Sequence, residues 1–334
     1  MKMLVTGCTG YIGSHTCVEL LNSGYDIVGL DNFSNSKKEV LDKINEITGK
    51  NINFYEGNML DINILNQIFT ENEIDCVIDF AAYKAVGESV KMPIEYYTNN
   101  VSSVLTLLSV MKKFNCKRIV FSSSATVYGD PESVPITEES KTGGTTNPYG
   151  TSKLFVEQIL KDLYKSDNTW DICILRYFNP VGAHESGLIG EEPKGIPNNL
   201  MPYVARVAAG TLKELSVFGN DYNTPDGTGV RDYIHVVDLA KGHIKALEKL
   251  EKEQEGLYIY NLGTGHGYSV LDMVKGFEKA TGKEVPYKIA PRRPGDIATC
   301  YADPSKAKKE LGWVAEKGIE DMCKDSWNFI VSNK

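Results

Sequence analysis

Tyr149 and Lys153 stand four residues apart in Asn147-Pro148-Tyr149-Gly150-Thr151-Ser152-Lys153, at the start of an apolar-periodic stretch. Positions i and i+4 share a helix face, so a phenol and an ammonium would be neighbours there. The chemistry this pairing allows is proton abstraction by a phenolate. An unperturbed phenol ionises near pH 10, and bringing it to neutrality takes about 3 units, roughly 4 kcal/mol in favour of the phenolate. One adjacent ammonium supplies about 1 to 3 units, so a second positive charge is needed, and an oxidised nicotinamide ring would be that charge. A packed tyrosine beside a solvated lysine is the ordinary meaning of Tyr-x-x-x-Lys, so the rest of the chain has to supply the cofactor site and the substrate site.

The first segment does the former. Residues 2–7 read as a short buried strand running into Gly7, Gly10 and Gly13, and residues 14–22 continue as a helix carrying Val18, Leu20 and Leu21. Glycines in such a turn let the backbone approach a pyrophosphate, whose charge sits on the amides and dipole of the helix N-terminus. Tight turns alone give the same spacing, and the next strand decides. Residues 25–30 are β-rich and end in Asp31, 18 residues after Gly13, where a carboxylate would accept from a ribose 2'-hydroxyl and repel a 2'-phosphate. NAD rather than NADP is the expected cofactor.

Strands and helices then alternate. Strands are expected at 52–56, 76–80, 118–122 and 172–178. Helices are expected from Asp61, with Ile64, Leu65 and Ile68, over 96–114, with Val101, Val104, Leu105 and Leu108, and from Tyr149 through Val156, Ile159, Leu160 and Leu163. This implies an α/β fold with a Rossmann-type doubly wound parallel sheet, whose ligands lie beyond the carboxyl ends of the strands. Asn58, the run Ala81-Ala82-Tyr83-Lys84 and the loop Ser122-Ser123-Ser124 fall at those ends. Ser124 is the best placed to hydrogen-bond a substrate hydroxyl beside Tyr149.

After residue 178 the texture changes to loops rich in Gly, Pro and Asn, carried on a smaller C-terminal α/β substrate-binding domain. The expected division is a NAD-binding domain over 1–178, with part of 236–262 returning to it, and a mainly substrate-binding domain over 179–334. Arg231 after Asp226-Gly227-Thr228-Gly229, and the run Arg292-Arg293-Pro294-Gly295-Asp296, offer guanidinium for bidentate phosphate recognition. In the tail, Asp303 would cap a helix that has Pro304 first and Gly312 just past its end, and a last helix over 319–330 would pack at the edge.

Composition narrows the partners. A net charge of -8 over 334 residues repels nucleic acid and anionic lipid, so nucleotides must be met by local donors. Seven cysteines without a Cys-x-x-Cys and five dispersed histidines argue against a disulfide framework or a metal site, and most thiols are expected to be small buried hydrophobes. Met3-Leu4-Val5 is too short for a signal-peptide apolar region and no run approaches a membrane span, so a cytoplasmic location is expected.

The chain resembles the extended short-chain dehydrogenase/reductases, in particular the branch that inverts C4 of UDP-hexoses. The signatures are Thr6-Gly7-x-x-Gly10-Tyr11-Ile12-Gly13, Lys84-Ala85-Val86-Gly87-Glu88-Ser89, Ser122-Ser123-Ser124-Ala125-Thr126 and Tyr149-x-x-x-Lys153. The second half adds Tyr177-Phe178-Asn179-Pro180, Ile196-Pro197-Asn198-Asn199-Leu200 and Gly229-Val230-Arg231-Asp232-Tyr233. The resemblance implies a tightly held NAD and a 4-keto sugar formed and reduced again within one turnover, on UDP-galactose and UDP-glucose. Tyr149 would take the proton from the sugar 4-hydroxyl, Lys153 would hold the phenolate and the nicotinamide ribose, and Ser124 would orient the hydroxyl.

Carried over position by position, the glycine turn with Tyr11 and Ile12 would meet NAD, and so would Asp31, Asn32, Asn35 and Ser36. Asn58, Met59, Phe80, Ala81, Lys84, Asn99, Ser122 and Phe178 complete the cofactor set, with Tyr149 and Lys153. Toward the UDP-sugar the resemblance implies Lys84, Ser124, Tyr149, Phe178, Asn179, Asn198, Asn199 and Leu200. Val217, Phe218, Arg231, Arg293, Asp296 and Cys300 would follow from the second half. It also implies a homodimer through a four-helix interface near 96–114 and 149–166.

Two departures matter. Asn58 stands where many members have aspartate, and its amide oxygen can still accept from adenine. Cys300 stands where bacterial-type members often carry a tyrosine that walls the sugar pocket, which leaves room for an N-acetyl group and extends the expected substrates to UDP-GalNAc and UDP-GlcNAc. The rival readings are a nucleotide-sugar 4,6-dehydratase, a non-catalytic NAD-binding regulator and a freely exchanging NAD dehydrogenase, the last separable by whether purified protein already holds NAD and works without any added. The first would need an Asp-Glu pair after Ser124, where this chain has Ala125-Thr126; the second has no use for Ser124, Tyr149 and Lys153 together.

Overall fold

The computed structural model describes residues 1–253, 256–293 and 295–333. The chain forms two compact units, the first from Met1–Asp130, Lys141–Arg176 and Ala240–Tyr260, the second from Pro131–Ser140, Tyr177–Leu239 and Asn261–Lys334.

The first unit opens with β1 (Lys2–Thr6), α1 (Tyr11–Asn22), β2 (Asp26–Asp31), α2 (Val40–Thr48) and β3 (Asn53–Glu56). β1 and β2 are near-continuous apolar runs because helices cover both faces of a parallel sheet. α3 (Ile62–Glu71) follows, capped as expected by Asp61, which accepts from Asn63 N at 2.9 Å, and leads into β4 (Cys76–Asp79). The single helix expected over 96–114 is interrupted. α4 (Val86–Lys91) and α5 (Pro93–Tyr97) precede a wide π turn at Thr98–Ser102, and only then does α6 (Ser103–Lys113) run regularly. The widening coincides with buried Asn100, whose side chain accepts from Tyr83 N at 2.8 Å and donates to Tyr83 O at 2.9 Å. One inserted residue aims that amide inward at the expense of regular helix pairing.

β5 (Arg118–Ser124), α7 (Pro148–Ser166) and β6 (Asp171–Tyr177) complete the main run. The serine triplet read as a loop is instead the end of β5, and all three serines are buried. The apolar run carries the strand that far, because β4 offers a parallel partner and the hydroxyls find polar partners at its end. A core of Leu4, Val28, Leu65, Val77, Leu107, Ile119, Val156 and Ile174 lies between sheet and helices.

The second unit holds β7 (Asn179–Val181), α8 (Leu200–Ala208), β8 (Leu215–Phe218), β9 (Val230–Arg231) and β10 (Tyr233–His235). α9 (Val236–Lys252) belongs to the second unit up to Leu239 and to the first from Ala240. β11 (Leu257–Leu262) then joins the large sheet, whose order is β11-β6-β5-β4-β1-β2-β3. β12 (Tyr268–Ser269), α10 (Val270–Thr281), β13 (Tyr287–Ala290), β14 (Thr299–Cys300), α11 (Ser305–Leu311) and α12 (Ile319–Ser332) end the chain. Pro304 occupies the cap position rather than the first helical one. Asp303 accepts from Ser305 N at 2.9 Å, and Gly312 closes α11 at φ 64°. α12 is not an edge element: it packs on α8 and α10, with Met322 and Cys323 fully buried in the second core.

Candidate active site

α7 starts where the sequence gives it both an amide acceptor and a fixed φ. Asn147 accepts from Gly150 N at 2.9 Å, and Pro148 sits in the first turn, where its missing N–H costs nothing. Lys153 faces the sheet with 5% exposure, its Nζ donating to Ser122 O at 2.6 Å and lying 4.8 Å from the centre of the Phe121 ring. Burial pulls its ammonium down to about 8, with Asp79 acting the other way. Tyr149 lies close enough to the Ser124 side chain for that hydroxyl to act on its phenol. Burial pushes its phenol above the ordinary value, and Ser124 pulls it back only in part. In the structure the Tyr149 phenol is therefore no more acidic than an ordinary one, and a nearby positive charge would be needed to make it a base.

The β1–α1 turn admits only glycine at its tightest point: a Cβ on Gly13 would stand 2.1 Å from Gly7 O, and Gly7 has φ +65°. Gly10 caps the 12-residue helix α1 without any side-chain bond. Asp31, at the end of β2, accepts from Thr9 N at 3.1 Å, Phe33 N at 2.9 Å and Ser36 Oγ at 3.2 Å. A bare glycine cradle, a helix start with no side-chain cap and a carboxylate tied to that cradle fit a dinucleotide.

Other cofactor candidates of this unit vary in what they present. Lys84 Nζ stands 5.6 Å from the centre of the Tyr11 ring, and Ile12 is partly buried in the first turn of α1. Asn32 accepts from Ser34 N at 3.0 Å, and Asn35 is exposed nearby. Asn58 accepts from Leu60 N at 2.9 Å, so part of its capacity is already engaged. Met59 is core, leaving only its backbone for a ligand, whereas Phe80 and Ala81 follow β4 with partial exposure. Asn99 donates to Asn100 Oδ1 at 3.0 Å inside the π turn.

Three residues escaped the sequence reading. Asn100 also donates to Ser152 Oγ at 3.0 Å, which ties the π turn to α7. Asp79, buried, accepts from Thr6 Oγ1 at 2.6 Å. Glu157, with no exposure, lies on the buried face of α7. Polar side chains set inside apolar stripes were the available signal for all three.

In the second unit, β9 pairs with β14 so that Arg231 stands opposite Cys300, and β7 pairs with β10 so that Asn179 stands opposite Tyr233. Burial pushes Tyr233 up to about 12, with Arg231 and Arg293 pulling it back and Asp296 adding to it. Arg293 Nε donates to Asp296 at 2.9 Å and its guanidinium lies 4.8 Å from the centre of the Phe218 ring, while Val217 points into the core. Burial raises the Cys300 thiol to about 11, with Arg231 lowering and Asp232 raising it, so it stays protonated. Asn199 caps the start of α8, donates to Glu191 at 2.6 Å and is followed by half-buried Leu200. Asn198 is exposed, and Phe178 is buried with its N–H on Leu262 O at 3.3 Å. Pro294 lies outside the described residues.

A dinucleotide cradle on a doubly wound sheet, with a serine, a tyrosine and a lysine at the strand ends, defines a short-chain dehydrogenase/reductase of the extended kind. Residues 4–326 match the family model described as GDP-mannose 4,6 dehydratase. A UDP-glucose 4-epimerase of Bacillus subtilis is 65% identical over 333 residues, covering 100% of this chain and 98% of the relative. The Homo sapiens UDP-glucose 4-epimerase is 56% identical, covering 99% and 97%. The crystal structure of UDP-glucose 4-epimerase from Bifidobacterium longum in complex with NAD+ and UDP superposes with a TM-score of 0.97 at 62% identity, covering 100% of this chain and 99% of that one. The chain belongs to the extended short-chain dehydrogenase/reductase family, in the branch of these UDP-glucose 4-epimerases.

Proposed function

We propose that this chain interconverts UDP-galactose and UDP-glucose by NAD-dependent epimerisation at C4 through a 4-keto sugar. The observation that carries the reading is Tyr149 beside Ser124 on the same helix as a buried Lys153 that donates to Ser122 O, in a unit that also has the glycine cradle and Asp31. Bound NAD supplies a two-electron acceptor that the same turnover regenerates. The first turn of α1 would hold its pyrophosphate and Asp31 its adenosine ribose, with Asn32, Asn35, Ser36, Asn58, Phe80, Lys84 and Asn99 around it. Tyr149 removes the proton of the sugar 4-hydroxyl and returns it once the keto sugar has presented its other face. Ser124 orients that hydroxyl, and Lys153 favours the phenolate.

The first unit is the NAD-binding domain in this reading and the second is the UDP-sugar domain. Arg231 and Arg293 take the diphosphate, and Phe218, Asn179 and Asn199 flank the nucleotide sugar. The dehydratase reaction of the broader family is disfavoured by Ala125-Thr126 directly after Ser124, which offer no acid and base for eliminating water.

Cys300 makes the sugar pocket roomy enough for an acetamido group, so UDP-GalNAc and UDP-GlcNAc are substrates as well. Exposed Ile94, Leu105 and Phe155 on α5, α6 and α7 are the apolar surface of a four-helix homodimer, which light scattering on the purified protein would detect. Seven free buried thiols suit the reducing cytoplasm. Among the described residues no helix is long and apolar enough to cross a membrane.

The decisive assay offers purified protein UDP-galactose and UDP-GalNAc separately, with no cofactor added, and separates the products by chromatography. Each should become a mixture with its C4 epimer. No conversion of UDP-galactose would refute the reading, and no conversion of UDP-GalNAc would refute the part played by Cys300.

A further inference from the structure

Tyr149, Lys153 and Glu157 follow one another at four-residue spacing down one face of α7, and each engages one of three consecutive serines at the end of β5. Tyr149 lies beside Ser124, Lys153 donates to the Ser122 carbonyl, and Ser123 Oγ donates to Glu157 Oε1 at 2.6 Å. The Glu157 carboxylate receives more. Arg176 of β6, 2% exposed, donates through Nε to Oε1 at 2.9 Å and through Nη2 to Oε2 at 2.7 Å. Its Nη1 donates to the Tyr128 hydroxyl at 2.8 Å, and its guanidinium lies 4.8 Å from the centre of that ring. Tyr128 ends the short 3-10 turn Ala125–Tyr128 that begins directly after Ser124.

Burial alone would raise the Glu157 carboxyl, but Arg176 and Ser123 hold it below its usual range, so it stays ionised. Desolvating such a pair costs several kcal/mol per ion, and apolar side chains of similar volume often stabilise a fold equally well or better. Stability alone is thus a poor reason for it. What apolar packing lacks is direction, whereas a bidentate guanidinium–carboxylate pair accepts one rotation and one height of the helix.

We propose that Glu157, held by Arg176 and Ser123, is a positioning residue that fixes the height of the Tyr149 hydroxyl against Ser124. The proposal rests on the reading of Tyr149 as the proton-transfer group. Tyr149 is faced by Ser124 from β5 and Tyr96 from α5, whose hydroxyl donates to Glu88 of α4 at 2.7 Å. Asp79 of β4 acts on Lys153. Glu157 is faced by Arg176, Ser123 and, at 3.4 Å, Lys161. Two effects of neutralising Glu157 are then opposite in sign. Simple loss of a negative charge would favour the phenolate and move the acid limb of the rate profile to lower pH. A Tyr149 shifted away from Ser124 loses its help and moves that limb to higher pH.

The test uses holoenzyme, with rates normalised to bound NAD, in Glu157→Gln and in the apolar double variant Glu157→Met/Arg176→Met. In Glu157→Gln kcat should fall ~10- to 100-fold, as for a displaced reacting group. KM for UDP-galactose should stay within about twofold, the mark of a loss specific to the chemical step, and the acid limb should move up in pH. An unchanged kcat, or a limb that moves down, overturns the proposal. If Glu157→Gln does not fold, the double variant decides. A thermal midpoint near wild type with the same loss of kcat supports positioning. Wild-type kcat in the double variant, or failure of both variants to fold, assigns the pair to stability alone and overturns it. Tyr149→Phe assayed alongside separates the two levels, because turnover surviving there removes the proton-transfer reading whatever the Glu157 variants do.

Discussion

In the proposed reading the two units place their functional groups on different kinds of backbone. In the first, Ser124 ends a seven-residue strand and Tyr149 and Lys153 ride a 19-residue helix, with Lys153 at 5% exposure. In the second, Arg231 and Cys300 sit on two-residue strands, Arg293 on irregular chain, and Phe218 is 38% exposed. Proton transfer demands that heavy atoms stay within hydrogen-bond reach, which buried regular elements enforce. Gripping a nucleotide tolerates looser carriers, because charge and stacking fall off more gently with distance. The first unit should therefore govern kcat and the second KM.

The sharpest way to break that division is Tyr149→Phe. It removes only a hydroxyl, so folding and NAD content should persist while turnover falls by ~10³-fold or more, the range of a lost general base. Substantial residual epimerisation would refute it. Gly13→Ala comes next. Its Cβ would meet Gly7 O at 2.1 Å, a backbone contact that cannot swing aside. Destabilisation of about 3 kcal/mol and purified protein stripped of NAD are expected, read from the thermal midpoint and the absorbance of bound cofactor.

A buried ammonium predicts a pH signature in cofactor-free protein. Lys153 titrates near 8 when folded and near its ordinary value of 10.5 when unfolded. Between those values the unfolded chain holds the extra proton, so stability rises with pH across that window; below about 8 the cost of the buried cation is fully present. Denaturant titrations of wild type minus Lys153→Met should show this difference growing by up to about 3 kcal/mol from pH 8 to above 10. A flat difference would mean that the amine is solvated.

Arg231→Ala or Arg293→Ala should raise KM for UDP-galactose ~10- to 100-fold, the worth of a charge-assisted hydrogen bond, with kcat nearly unchanged. A matching fall in kcat would erase the contrast between the units. The smallest effect is expected from Cys300→Tyr on the plain sugars, less than about threefold, although turnover of UDP-GalNAc should vanish. Equal loss on both sugars would mean that the side chain fills general binding space.

Much of this was legible before any coordinates. Strand, glycine turn, helix and Asp31 were readable because each follows from local sterics and uninterrupted apolar runs, and Tyr149 with Lys153 because four-residue spacing is a helix property. The π turn was not, since the apolar stripe at Val101, Val104 and Leu108 gives no sign that Asn100 is pulled inward by Tyr83. The serines of β5 read as a loop because hydroxyls signal solvent unless the partners are known, and those partners, Lys153 and Glu157, lie about thirty residues onward in the chain. The grouping of Pro131–Ser140 with the second unit rests on long-range pairing, such as Ile136 N to Tyr301 O at 2.9 Å, that no local pattern announces.

That excursion, with the return of residues 240–260, means each unit is stitched from three separate lengths of chain. No single cut yields a finished half. A ribosome must therefore deliver residue 260 before the large sheet can gain its last strand, and gene fragments split near residue 178 should encode two pieces that each lack part of their own interior.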